Sequence, residues 1–181
     1  MMKFFLVNCV LALLTCCATT SALQRNTNDL PANNCLWTEE LRDNEQLNRY
    51  QVSIQAKGNH ITGICMLKKS DEGWRGTLVN EFGFKAFDFI IMPKKCELLN
   101  TISLLNKWYI RQTIAGDLHF LFEIDNPGVS FQRKTVRTVA QDGSLTIRFQ
   151  KKKSIVRMPD NRIEMRNLKR KIVYLLNNIP E

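Results

Sequence analysis

The chain has 181 residues, 44% of them hydrophobic, and sets 26 lysines and arginines against 17 acids, a formal charge of +9. That length suits one domain, able to bury a core without metals or cross-links. With two histidines and no Cys-x-x-Cys pair, the composition argues against a zinc site, and no cofactor is expected.

The first residues read as an export signal. Met1-Met2-Lys3 gives a positive start, FFLVNCVLALL is an apolar run too short to anchor a bilayer, and small polar residues follow. Two cleavage readings stand. Thr20-Ser21-Ala22 suits an ordinary signal peptidase, whereas LLTCCA, Leu13 to Ala18, resembles the lipobox of bacterial lipoproteins. In the second reading residues 1–16 are removed and Cys17 is the lipidated first residue. Cys16 occupies the place usual for Ser, Ala or Gly, and cysteine is close to serine in size, so lipidation at Cys17 is preferred. One diacyl-bearing cysteine holds a protein at a membrane. Bacteroidetes lipoproteins exported to the cell surface resemble one another in an acidic run after that cysteine, which Ala18-Thr19-Thr20-Ser21 lacks. The expected location is therefore the cell envelope, as a periplasm-facing outer-membrane anchor. Without lipidation the product is secreted or soluble in the periplasm.

Residues 17–36 follow as the lipidated cysteine and a tether rich in Asn, Thr and Ala, and residues 37–181 as a single β domain. Once Cys9 and Cys16 leave with the signal and Cys17 takes lipid, Cys35, Cys65 and Cys96 remain. They allow at most one disulfide, for which Cys65 and Cys96 are possible partners; buried free thiols are the alternative. A short helix is predicted around Thr38 to Leu47, with Thr38 as its N-cap.

From Arg49 the apolar period becomes two. In RYQVSIQAK the residues Tyr50, Val52, Ile54 and Ala56 share a face, and the other face is polar. HITGICMLK, WRGTLVNEF, FKAFDFIIM and CELLN continue as an antiparallel meander with short connections. HITGICMLK and FKAFDFIIM carry apolar residues on both faces, which predicts central strands covered on both sides. SLLNKWYIRQTIAGDLHFLF then reads as helical, with Ser103 as a candidate N-cap and Gly116 as a candidate stop. Its apolar residues Leu104, Leu105, Trp108, Tyr109, Ile110 and Ile114 spread widely, so the helix is expected deep against the sheet. After Asn126-Pro127-Gly128 five more strands are predicted, in VSFQRKTVRT, GSLTIRFQK, SIVRM, RIEMRN and KIVYLL. The fold class is mainly β (α+β): a strongly curved antiparallel sheet or half-open β-barrel of about ten strands, with a helical insertion on its concave side.

Charge is concentrated late. Between Arg133 and Lys171 thirteen basic residues face three acids, Asp142, Asp160 and Glu164. The basic surface is assigned to Arg148, Lys151, Lys152, Lys153, Arg166, Lys169, Arg170 and Lys171. On an exported chain such a surface points to anionic lipid or an acidic partner rather than nucleic acid, because aromatics are not interleaved with it.

No nucleophile elbow or phosphate-binding glycine loop is present. Glu81 and Asp88 are the one carboxylate pair set among aromatics, but strand parity does not make them converge, and Asp88 is read as meeting Lys85, Lys68 or another basic neighbour. The chain is therefore read as no enzyme, with no catalytic residue.

In Ile61 to Phe89 the residues Ile61, Gly63, Ile64, Lys68, Lys69, Asn80, Glu81, Phe82, Gly83, Lys85, Phe87, Asp88 and Phe89 form an I-x-G-I, KK and NEFG-x-K-x-FDF pattern. The pattern resembles a group of small Bacteroidetes envelope lipoproteins of uncharacterised function, as does LNKWYIRQTIAGDL after it. The group's strand-rich layout is similar to the LolA/LolB-like lipoprotein-localisation factors. That resemblance implies a half-open barrel with an apolar cavity for acyl chains, here lined by Ile64, Met66, Phe84, Phe87, Phe89, Trp108 and Ile114. An exposed leucine loop of the outer-membrane acceptor is not found in the sequence. The expected function is non-enzymatic binding of acyl chains or a lipoprotein or lipid ligand. The alternative is a structural or assembly subunit of an envelope complex, with a solid core and no ligand.

Overall fold

A computed structural model describes residues 34–37, 47–131 and 134–179. The export signal, Cys17, the tether up to residue 33 and the helix expected from Thr38 lie outside the described residues.

Among the described residues, ten strands form one antiparallel sheet. They are β1 (Asn48–Ala56), β2 (Asn59–Ser70), β3 (Gly73–Asn80), β4 (Lys85–Met92), β5 (Lys95–Leu99), β6 (Thr135–Val139), β7 (Leu145–Phe149), β8 (Lys153–Arg157), β9 (Ile163–Asn167) and β10 (Ile172–Asn178). The spatial order is β5-β4-β3-β2-β1-β10-β9-β8-β7-β6, so β1 and β10 join two meanders and the edges β5 and β6 do not pair. A 3-10 turn (Ser103–Leu105) and helix α1 (Trp108–Glu123) connect the edges.

The contacts of α1 reveal the sheet's curvature. Arg111 donates to the Leu98 carbonyl on β5, while Asp117 meets Lys153 on β8, Asn167 on β9 and Tyr174 on β10. In a flat sheet β5 and β8 would lie roughly 34 Å apart at about 4.8 Å per strand. One helix about 10–12 Å wide touches both, so the sheet wraps around it.

Period two decides what is buried. Tyr50, Val52 and Ile54 of β1 face α1, in register with Cys65 and Leu78, and with Tyr174 and Leu176 of β10. Phe87, Phe89 and Ile91 of β4 do the same. Among the described residues the convex side has no second layer, which corrects the expectation of two-sided burial. Ile64 is 40% exposed and Met66 is half-buried, because α1 covers the concave face.

Two helical expectations also change. Ser103 belongs to the 3-10 turn, and α1 starts at Trp108 after Lys107, with no side-chain cap bond. Gly116 does not end the helix: Lys153 Nζ donates to its carbonyl at 2.6 Å and to Asp117 at 2.8 Å, so tertiary ties carry the helix on to Glu123. The strand expected in VSFQRKTVRT is confined to its end, because Phe131 packs edge-on against Phe120 and His119 instead of pairing along the sheet.

The C-terminal half of α1 is the better anchored. Trp37 stacks on Phe122 with centroids 4.9 Å apart, donates from Nε1 to the Leu121 carbonyl and from its backbone to Asp125. Arg137 pairs with Asp125 at 2.8 Å, and Arg157 donates to the Cys35 carbonyl. Arg137, Lys153 and Arg157, three cations of the basic C-terminal third, thus serve the interior.

Among the described residues Cys65 and Cys96 are not joined in a disulfide. Cys65 on β2 and Cys96 on β5 are three strand steps apart, roughly 14 Å, beyond disulfide reach. Burial pushes both thiols up to about 12, keeping them protonated and poor nucleophiles at neutral pH. In native protein at pH 8, Cys65 and Cys96 should react with a thiol reagent at least about tenfold more slowly than in urea; rapid native labelling, mapped by peptide mass, would contradict this burial.

Candidate functional site

The NEFG-x-K-x-FDF pattern is a folding device in this structure. Asn80 Oδ1 accepts from the Phe82 and Phe84 amides at 3.0 and 2.8 Å, and Gly83 takes φ +80°, which closes the β3–β4 turn. A register shift at Leu78/Val79 makes a β-bulge, so Ala86 and Phe87 are both buried. Asp88 accepts from Thr77 at 2.6 Å, Lys85 at 2.9 Å and Asn100 at 2.8 Å. Burial alone would raise the Asp88 pKa, but these hydrogen bonds and the Lys85 charge outweigh it and hold the pKa below the usual value. Glu81 instead accepts from Thr62 Oγ1 on the exposed turn. The two carboxylates therefore sit in separate hydrogen-bond sets.

The seven residues expected to line a cavity do not come together. Phe87, Phe89 and Ile114 meet in the interior with Val52, Leu121 and Tyr174, around a void of only about 20 Å³, room for about one water. Ile64 and Met66 face the convex side. Phe84 and Trp108 stand at one end of the sheet, 71% and 76% exposed.

That end gathers more than the sequence suggested. Hairpin alternation sends the turns after β1, β3, β7 and β9 to the same end, together with the β5–α1 connection. The two halves of the sheet meet there around the first turns of α1. Trp108 lines one groove with Leu98 and Leu99 of β5, and a second with Lys152, Lys153, Asn167, Lys169 and Arg170. The Ile102 amide donates to the Ala86 carbonyl at 3.0 Å, tying the connection to the β3–β4 hairpin.

Phe82 (82%), Phe84, Leu104 (70%) and Trp108 are thus exposed at one end, with Ile102, Tyr109 and Leu168 beside them. Large apolar side chains exposed together mark an interaction surface. The same end bears exposed Lys57, Lys107, Lys151, Lys152, Lys169, Arg170 and Lys171, with Glu81 as its acid. The turns of the opposite end carry Asp71, Glu72, Asp142 and Asp160, beside Lys94 and Arg162.

The eight basic residues picked from sequence divide accordingly. Lys151, Lys152, Lys169, Arg170 and Lys171 belong to this end. Arg148 is exposed along β7, Arg166 is paired with Glu164 on β9, and Lys153 is held by Asp117 and lies 5.2 Å from the Phe120 ring.

Sequence reasoning missed Asp117, 1% exposed at the centre of this polar interior. Its signal was a lone acid in the apolar run IAGDLHFLF. Among the described residues no helix is long and apolar enough to cross a membrane. Neither a protein-family model nor a curated protein matches the chain.

Proposed function

We propose that this chain is a non-enzymatic cell-envelope lipoprotein, anchored through Cys17, that docks on anionic membrane and takes an acyl chain or a lipid-bearing ligand between α1 and the curved sheet. In this reading the sheet is a half-open barrel similar in architecture to the LolA/LolB-like factors. The observation that carries it is the coincidence of exposed Phe82, Phe84, Leu104 and Trp108 with the basic turns at one end. Apolar side chains enter the headgroup boundary while lysines and arginines meet lipid phosphates, each worth about 1 kcal/mol near an anionic surface. The seam under α1 begins at that end. With a void of only about 20 Å³, a ligand is admitted by lifting the first half of α1, whose Trp108 and Tyr109 are exposed while Phe120, Leu121 and Phe122 are buried.

Vesicle co-sedimentation tests the docking. Phosphatidylglycerol vesicles should bind at least about tenfold more tightly than phosphatidylcholine vesicles, with binding falling as salt rises. A Phe82→Glu, Leu104→Glu variant should lose most of the binding without a change in melting temperature. Equal binding to both lipids, or an unaffected variant, would sink this reading. Native mass spectrometry of the purified protein should also find bound lipid.

The filled interior favours a second reading, an assembly subunit whose apolar end covers a protein partner. It requires one stoichiometric partner in crosslinked membranes and no bound lipid.

A further inference from the structure

The groove between the start of α1 and the β7–β8 and β9–β10 turns has a volume of about 270 Å³, near the lower end of small-ligand pockets. Its floor is neutral and rigid. Asp117 is held by Lys153 Nζ at 2.8 Å, by Asn167 Nδ2 at 2.8 and 3.0 Å and by Tyr174 Oη at 2.8 Å. Asn167 Oδ1 in turn accepts from the Arg170 backbone at 3.0 Å, which fixes the β9–β10 turn at the groove's edge. One carboxylate and one ammonium therefore cancel at the base.

The rim is not balanced. Lys152, Lys169 and Arg170 are exposed, and among the described residues the one acid lining the groove is Asp117, already paired with Lys153. Gln112 adds polar capacity, and Trp108 offers an exposed aromatic wall beside Tyr109. Three exposed cations lining a concave polar site, with an indole alongside, suit a doubly charged oxyanion carried on a small polar group.

We propose that this groove binds a phosphoryl group on a small polar headgroup, with Lys152, Lys169 and Arg170 as its ligands and Trp108 covering the group that carries it. The inference rests on the docking reading only for the source of the phosphate. A lipid headgroup is the expected source, and a soluble phosphate ester has the same chemistry.

Trp37 and Trp74 are buried and Trp108 is exposed, so indole fluorescence reports on the groove. Titration of the full chain with glycerol phosphate should change that fluorescence saturably, and Trp108→Phe should abolish the change. A Lys152→Gln, Lys169→Gln, Arg170→Gln variant should bind glycerol phosphate at least tenfold more weakly while keeping its melting temperature. It should also bind phosphatidylglycerol vesicles more weakly than the parent if the source is lipid. Glycerol phosphate binding without vesicle binding keeps the phosphate site, assigns it to a soluble ester and removes the docking reading. Vesicle binding that the triple variant retains, with no response to glycerol phosphate, overturns the groove and leaves docking by the apolar end intact. No response to either probe overturns both.

Discussion

Asp117→Ala is expected to lower folding stability by about 3–5 kcal/mol, a large share of the total for a domain of this size. Three side chains from three strands converge on this carboxylate, which is 1% exposed: Lys153 of β8, Asn167 of β9 and Tyr174 of β10. Lys153 and Asn167 are also direct cross-strand neighbours, so one acid of α1 clamps adjacent strands of the sheet. Alanine leaves the buried Asn167 amide and Tyr174 phenol without their acceptor, and strips Lys153 of its counter-charge, though that ammonium keeps the Gly116 carbonyl and some access to water. The Lys153→Met variant removes only the exposed-side partner, since that side chain is 18% accessible, and should cost less. Urea denaturation checks the order. A loss below about 1 kcal/mol for Asp117→Ala would mean that the groove floor relaxes and that α1 is held by packing alone.

The Tyr174 phenol agrees with this picture. Burial first, then the Asp117 charge and hydrogen bond, raise its pKa well above the ordinary 10, so it stays a donor to Asp117 throughout the neutral range.

The clamp also explains where sequence reading succeeded and stopped. β1 was legible because Tyr50, Val52 and Ile54 alternate with Gln51, Ser53 and Gln55, and only one face of that strand can be buried. In β2 and β4 alternation was blurred, since Ile64 and Ile90 are apolar but face the convex side. Which face is covered depends on α1, not on either strand. Asp117 was opaque for another reason: its partners lie 36 to 57 residues further along the chain, and nothing local distinguishes a buried acid from a solvated one. The basic third was visible as composition, but its inward members were not. Arg137 and Arg157 became interior ties because they sit on concave-facing positions beside Asp125 and the Cys35 carbonyl. The shared end of the apolar and basic residues was within reach of sequence reading. Alternate hairpin turns of a meander lie at one end, so Phe82 and Lys152 could have been matched by counting strands once the helix was known to cross the sheet from end to end.

The glycine of the I-x-G-I stretch should prove one of the most sensitive small residues among those the structure describes. Gly63→Ala is expected to cost about 3 kcal/mol or more, at or beyond the upper end of ordinary overpacking. A Cβ at Gly63 would lie 2.0 Å from the Val79 carbonyl oxygen, 2.9 Å from its carbon and 3.1 Å from Asn80 Cα. All three are backbone atoms, so no rotamer change relieves the contact. The approach comes from the β3–β4 hairpin, where the register shift at Leu78/Val79 accompanies the turn that Asn80 then closes. I-x-G-I and NEFG are therefore two sides of one feature: the bulge needs an absent side chain on β2. Gly83→Ala provides the comparison, since its φ of +80° is unfavourable for alanine but open space surrounds it. It should cost only about 1–2 kcal/mol. Thermal unfolding of both variants should rank Gly63 far above Gly83. If Gly63→Ala melts with the parent, β2 and β3 must be able to part at the bulge, and the β3–β4 hairpin carrying Phe82 and Phe84 would then be a movable part of the docking end instead of a fixed one.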